Sequence, residues 1–167
     1  ANSIIKVTDV VSFELIAESK AKFEYPLKTW AVLKPGEEYP KTSLELTVNG
    51  SAPKEIIDKG ITRDTDMNYC KEQRVVLKGA TKYNIKYTRV KTYNMNEDYY
   101  LGLRAKYIIN NLRVSLELPD GIAAQFVCRG TQKDFEDVNN REKRIEKKYK
   151  GIVLPRQGYI FALHKVN

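Results

Sequence analysis

Apolar and polar residues alternate with period two along most of this chain, and that pattern restricts it to strands with one buried face. Val11, Phe13 and Leu15 alternate with Ser12, Glu14 and Ile16. Leu44, Leu46 and Val48 alternate with Glu45 and Thr47, and the run stops at Asn49-Gly50. A shorter run spans 29–34 and ends at Pro35-Gly36. Asn49-Gly50-Ser51 matches a glycosylation acceptor but reads first as a tight turn.

The strongest alternation lies between 74 and 129. Residues 75–77 form a short strand ended by Gly79. A long strand over 82–93 places Tyr83, Ile85, Tyr87, Arg89 and Lys91 on one face, and a turn at 94–98 follows. The chain returns over 99–109 with Leu101, Leu103, Ala105, Tyr107 and Ile109 on one face. Asn110-Asn111 suits a two-residue hairpin, because asparagine tolerates positive φ. Leu112, Val114, Leu116 and Leu118 form the next row, Pro119-Asp120-Gly121 a turn, and Ile122, Ala124, Phe126 and Cys128 a further row. Together these strands predict a four-stranded antiparallel meander.

Two stretches lack that rhythm. Residues 51–71 hold Pro53, Gly60 and scattered charges, and read as a long connection with a helical turn near Pro53. Residues 133–150 place Phe135, Val138, Ile145 and Tyr149 at spacings that fit a narrow helical stripe, so a short helix or helical loop is expected near 133–141, then a basic strand. Tyr159, Phe161 and Leu163 close the chain as a final strand. The whole predicts one all-β domain over 1–167, an antiparallel β-sandwich or partly open barrel.

The 167 residues are enough to bury one core. No apolar run approaches the roughly 20 residues of a spanning helix, so no membrane span is expected. The start, Ala1-Asn2-Ser3, has neither initiator Met nor basic n-region. That fits a processed or trimmed chain, a removed leader or anchor included. Cys70 and Cys128 are the two cysteines; the expectation is a buried Cys128 thiol, no bridge and a cytoplasmic setting.

Catalytic and metal signatures are missing. The one histidine, His164, falls on the face opposite Tyr159, Phe161 and Leu163 and is expected at the surface. Two distant cysteines and one histidine cannot build a zinc site. Asp64-Thr65-Asp66-Met67-Asn68 opens like an EF-hand, but Tyr69 stands at its sixth position and Val75 at its twelfth. What remains is a loose loop site of Asp64, Asp66 and Asn68, or a solvated turn. Phosphate-loop glycine motifs are absent. Glu37-Glu38, Glu97-Asp98 and Glu136-Asp137 are adjacent pairs in turns or loops, where two carboxyls share one exposed environment. No catalytic role, metal or cofactor is expected, and the chain reads as a non-enzyme.

The feature above background is tyrosine beside basic residues, in a chain of net charge +8 with eleven tyrosines. Tyr83, Lys86, Tyr87, Arg89 and Lys91 on one strand, and Arg104 and Lys106 on the next, suggest a basic sheet face that meets phosphates while rings stack on bases. Arg144, Lys147 and Lys148 belong to a second cluster, six cations over 141–150 against Glu142 and Glu146. The expected function is therefore a binding or sensor domain for an anionic ligand, a nucleotide or nucleic acid. The competing reading is a protein-interaction or structural module, docking a partner or a second copy through a strand edge or through 51–71.

Overall fold

The structure, a computed structural model, describes residues 4–65 and 67–166. They form thirteen strands and no helix: β1 (Ile4–Ile16), β2 (Phe23–Val32), β3 (Thr42–Val48), β4 (Ile56–Arg63), β5 (Asn68–Leu77), β6 (Lys82–Asn94), β7 (Tyr100–Arg104), β8 (Ile109–Glu117), β9 (Ile122–Arg129), β10 (Glu136–Asp137), β11 (Arg144–Lys148), β12 (Ile152–Val153) and β13 (Gly158–Lys165). No helix among the described residues is long and apolar enough to cross a membrane.

The spine is β1 paired antiparallel with β6 along their full lengths, from Ile4 opposite Asn94 to Ile16 opposite Lys82. Opposed residues share a face, so Val11 meets Tyr87, Phe13 meets Ile85 and Leu15 meets Tyr83. This row is buried. Each such side chain contributes about 1.5–3 kcal/mol of transfer free energy. The large sheet runs β10-β11-β8-β1-β6-β3, with β12 also on β8. Two three-stranded sheets, β7-β13-β9 and β2-β5-β4, pack on its inner face. Phe13 contacts Tyr25, Tyr83 contacts Phe23, and Tyr159, Phe161 and Leu163 enter the same core. The sheets stay open, which makes the all-β architecture a sandwich and not a closed barrel.

The predicted meander does not form. β6 and β8 belong to the large sheet, whereas β7 and β9 pair with β13 in the opposite layer. Leu101, Ala105 and Ile109 are buried as their alternation requires, but the chain crosses between layers after Arg104. Alternation reports which side is buried; both layers face one core, so it is silent about which strands pair. Asn111 does take positive φ, at 53°, but inside β8. There it makes a bulge: Ser12 faces Arg113 while Glu14 faces Asn110.

The stretch 51–71 is no long connection. It holds β4 and the start of β5, a hairpin closed by the Asp64 amide donating to the Asn68 carbonyl. Edge strand β4 is mostly exposed and bulges between Asp58 and Gly60, which erases the period-two signal. The helix expected near 133–141 is also absent: β10 pairs with β11 there. Phe135 packs on Phe126 and Tyr149, Val138 stays exposed, and the Val138 amide donates to the Glu146 carbonyl.

Two local expectations are met. Asn49 and Gly50, both at positive φ, form the tight turn after β3, and His164 is exposed. The cysteines differ from expectation in burial: both are free thiols, but the buried one is Cys70, and Cys128 is half-buried. Among the described residues no cluster fits a metal ion; Asp66 of the loose loop site lies outside them.

Candidate functional site

Strands β2 and β7 are edges of separate sheets, and over β6 they face each other without pairing. The gap between them is a cleft of about 740 Å³. Its floor is Tyr87, Arg89, Lys91 and Tyr93 of β6; its walls are residues 25–30 and 100–106; Tyr159 and Ile160 line one end. Gly102 lets β7 approach β13, because a Cβ there would press into the Tyr159 carbonyl oxygen.

Charge on the floor follows from strand phase. Asp9 lies in step with Val7 and Val11, so it must point inward with them. Arg89, opposite it, takes both its carboxylate oxygens, Nε to Oδ1 and Nη2 to Oδ2, each at 2.9 Å. That bidentate grip holds the guanidinium in place on the cleft floor. Burial opposes the charge on Arg89, and the attraction of Asp9 more than offsets it, so the group stays a cation. Lys91 donates at 2.6 Å both to Asp98 and to the Trp30 carbonyl oxygen, and its Nζ lies 4.1 Å from the centre of the Tyr93 ring. Burial pushes the Lys91 ammonium down, and Asp98 resists that. Burial also pushes the hydroxyls of Tyr25, Tyr87, Tyr93 and Tyr159 up, so each keeps its proton as a donor.

The mouth is basic. Arg104 at the end of β7, Lys106 just past it, Arg129 at the end of β9 and Arg156 are exposed around it. None of these four has an ion-pair partner among the described residues. Lys28, also at the mouth, lies 3.5 Å from Glu72. Trp30, the only tryptophan in the chain, lines the wall and is half exposed.

Of the ten residues singled out in the sequence, Tyr87, Arg89, Lys91, Arg104 and Lys106 meet in this cleft. They do not share one basic sheet face, as expected from alternation, since β6 and β7 lie in different layers and Arg89 and Lys91 point inward. Tyr83 is buried with its hydroxyl donating to the Ala80 carbonyl. Lys86 is exposed on the outer face of β6. Arg144, Lys147 and Lys148 lie on β11, three strands away in the large sheet. Asp98 departs from the expectation of an exposed adjacent pair, because it is buried on Lys91. Asp9 carried a readable signal that the tyrosine and lysine pattern passed over: a charge in step with an apolar row. Tyr159, Arg129 and Arg156 carried none.

Comparison with protein-family models, with curated proteins and with solved structures finds no match for this chain.

Proposed function

We propose that this chain is a non-enzymatic binding or sensor domain that takes a small anionic ligand of nucleotide type into the cleft between β2 and β7. The observation that carries the reading is the ring of four cations without ion-pair partners around a tyrosine-lined concavity. Unpaired like charges at one mouth raise the local potential and attract an anion. The volume falls within the roughly 300–1,000 Å³ of small-molecule sites. The arginines and lysine of the mouth supply donors only, and the tyrosine hydroxyls can donate as well as accept, which suits an acceptor-rich ligand. The free Cys70 and Cys128 support a reducing compartment, the cytoplasm, as the place of action.

The test is a thermal-shift and Trp30-fluorescence titration with nucleotides, cyclic nucleotides and oligonucleotides, at low and high salt. A ligand at a hundred times its Kd adds roughly 2.7 kcal/mol of stability. Binding that quenches Trp30, weakens with salt and is lost in Arg104→Gln/Arg129→Gln supports the reading. No response above a charge-matched control refutes it. The competing reading places a protein partner on edge strand β4, where Ile56 and Ile61 are exposed. It predicts a stable oligomer or complex with little salt dependence.

A further inference from the structure

The cations at the mouth come from three chain segments that the fold brings to one place. Gly158 of β13 stands opposite Arg104 of β7 on one side and opposite Arg129 of β9 on the other. The next row is Leu103, Tyr159 and Cys128, and its Tyr159 is wholly buried in the core. The row of Arg104, Gly158 and Arg129 therefore points to the outer face of this small sheet. The two arginines sit about 10 Å apart, two strand spacings. No side chain stands between them, because a Cβ on Gly158 would run into the Leu103 carbonyl oxygen.

Arg156 joins them from the turn 154–157, which is closed by the Gln157 amide donating to the Leu154 carbonyl at 3.1 Å. The Arg156 amide donates to the Ala105 carbonyl at 2.7 Å, which ties the turn to the chain just after Arg104. The Gln157 side chain ties it to the end of β9: Nε2 donates to the Gly130 carbonyl at 2.6 Å, and Oε1 accepts from the Leu154 amide at 2.8 Å. With Pro155 second and Arg156 third at φ 74°, this is a type II turn, whose third position favours glycine or asparagine. An arginine there is strained. Its side chain is exposed, and no hydrogen bond or ion pair of that side chain among the described residues offsets the strain.

We infer that Arg104, Arg129 and Arg156 form a seat above Gly158 for a terminal phosphate, a phosphomonoester. This rests on the anionic-ligand reading and narrows it, from nucleotides and nucleic acids at large to ligands that end in a phosphomonoester. Such a group carries close to two negative charges at neutral pH and three free oxygens. Three guanidinium groups from three directions match that charge and that oxygen count, and the planar arginine fork grips phosphate through paired hydrogen bonds. A cyclic phosphate or an internal backbone phosphate has one charge and two free oxygens, so it leaves one arginine without a partner.

The experiment measures Kd by titration calorimetry on the full chain, with ribonucleoside 5′-monophosphates and the matching 3′,5′-cyclic monophosphates. The monophosphate is expected to bind at least about tenfold more tightly, one charge-assisted hydrogen bond's worth. Inorganic phosphate displaces it at millimolar concentration. Arg156→Gly is expected to leave the free protein no less stable, because glycine suits φ 74°, and to weaken the monophosphate about tenfold. Equal affinity for the two nucleotides overturns the inference, as does an Arg156→Gly chain that binds the monophosphate as tightly as the native one. Should that variant fail to fold, Arg156→Lys, which keeps the charge and removes the fork, decides: unchanged affinity for the monophosphate overturns the inference. If both nucleotides bind alike, the anionic-ligand reading stands and only the phosphomonoester seat falls. If neither nucleotide nor inorganic phosphate binds, that reading falls as well.

Discussion

The mouth of the cleft and the strand β11 are both basic regions, and they treat their cations in opposite ways. On and around β11 most are paired. Lys147 lies 2.5 Å from Asp137, Lys150 3.0 Å from Glu136, Lys143 against Asp120, and Arg113 and Arg144 share Glu146. At the mouth, Arg104, Lys106, Arg129 and Arg156 have no such partners among the described residues. A paired cation has its field cancelled within a few ångströms, whereas an unpaired cluster projects beyond the surface. Sequence density of lysine and arginine pointed to both regions. Only the placement of acidic residues separates a solvated, self-neutralised strand from a cluster whose charge stays uncancelled.

The largest expected effect is alkaline unfolding, which tests how tightly the cleft holds its tyrosines. Burial raises the hydroxyls of Tyr25, Tyr87 and Tyr93 above their ordinary value of 10.0, and that of half-buried Tyr39 to about 12. Above about pH 10 the native state therefore binds more protons than the unfolded one, and stability falls as pH rises. Lys91 works the other way: its lowered pKa makes the unfolded state bind more protons just below 10.5, so alone it would add stability with rising pH. One lysine does not outweigh several tyrosines. Tyrosinate absorbance of these rings should appear together with loss of the β-sheet circular dichroism. A gradual tyrosinate rise in a folded chain would show the cleft to be wet.

Removing carboxylates comes next. Asp9→Asn leaves Arg89 buried without its partner and should cost about 3–5 kcal/mol in urea unfolding. Glu146→Gln should cost about 1 kcal/mol, because its partners Arg113 and Arg144 are each 47% exposed and turn to water. Equal costs would break the comparison between the two regions.

Ligand binding separates the regions more finely. The double variant Arg104→Gln/Arg129→Gln should weaken nucleotide affinity about tenfold at low salt and flatten its salt dependence. Lys147→Gln/Lys150→Gln should change affinity by less than about twofold, since those charges are already cancelled by Asp137 and Glu136. A larger loss from the β11 pair would move the binding surface to β11. The smallest effect is expected of Lys86→Gln, within about 0.5 kcal/mol in stability and without change in binding, because Lys86 is exposed on the outer face of β6.

Half of the site is legible in the sequence. Tyr87, Arg89 and Lys91 stand in one row by alternation, and Arg104 and Lys106 follow on the next apolar-patterned strand. The same rule, applied to 4–16, finds Asp9, since a charge in step with Val7, Val11, Phe13 and Leu15 needs an opposite charge in the interior. The adjacency of Glu97 and Asp98 conceals that one is buried on Lys91. Tyr159 has the pattern of ordinary core, and it is buried there.

By itself, the sequence determined that this chain is all-β, which face of most strands is buried, and where its turns at Asn49-Gly50 and Pro119-Asp120-Gly121 fall. These are local properties: side-chain direction alternates residue by residue, and positive φ is tolerated by few residue types. The tertiary structure alone decided that β6, β7, β8 and β9 alternate between layers, that β2 and β7 leave a gap over β6, and that the cations at its mouth lack partners among the described residues. Those are long-range choices among strands of the same pattern, made by packing and register across the core.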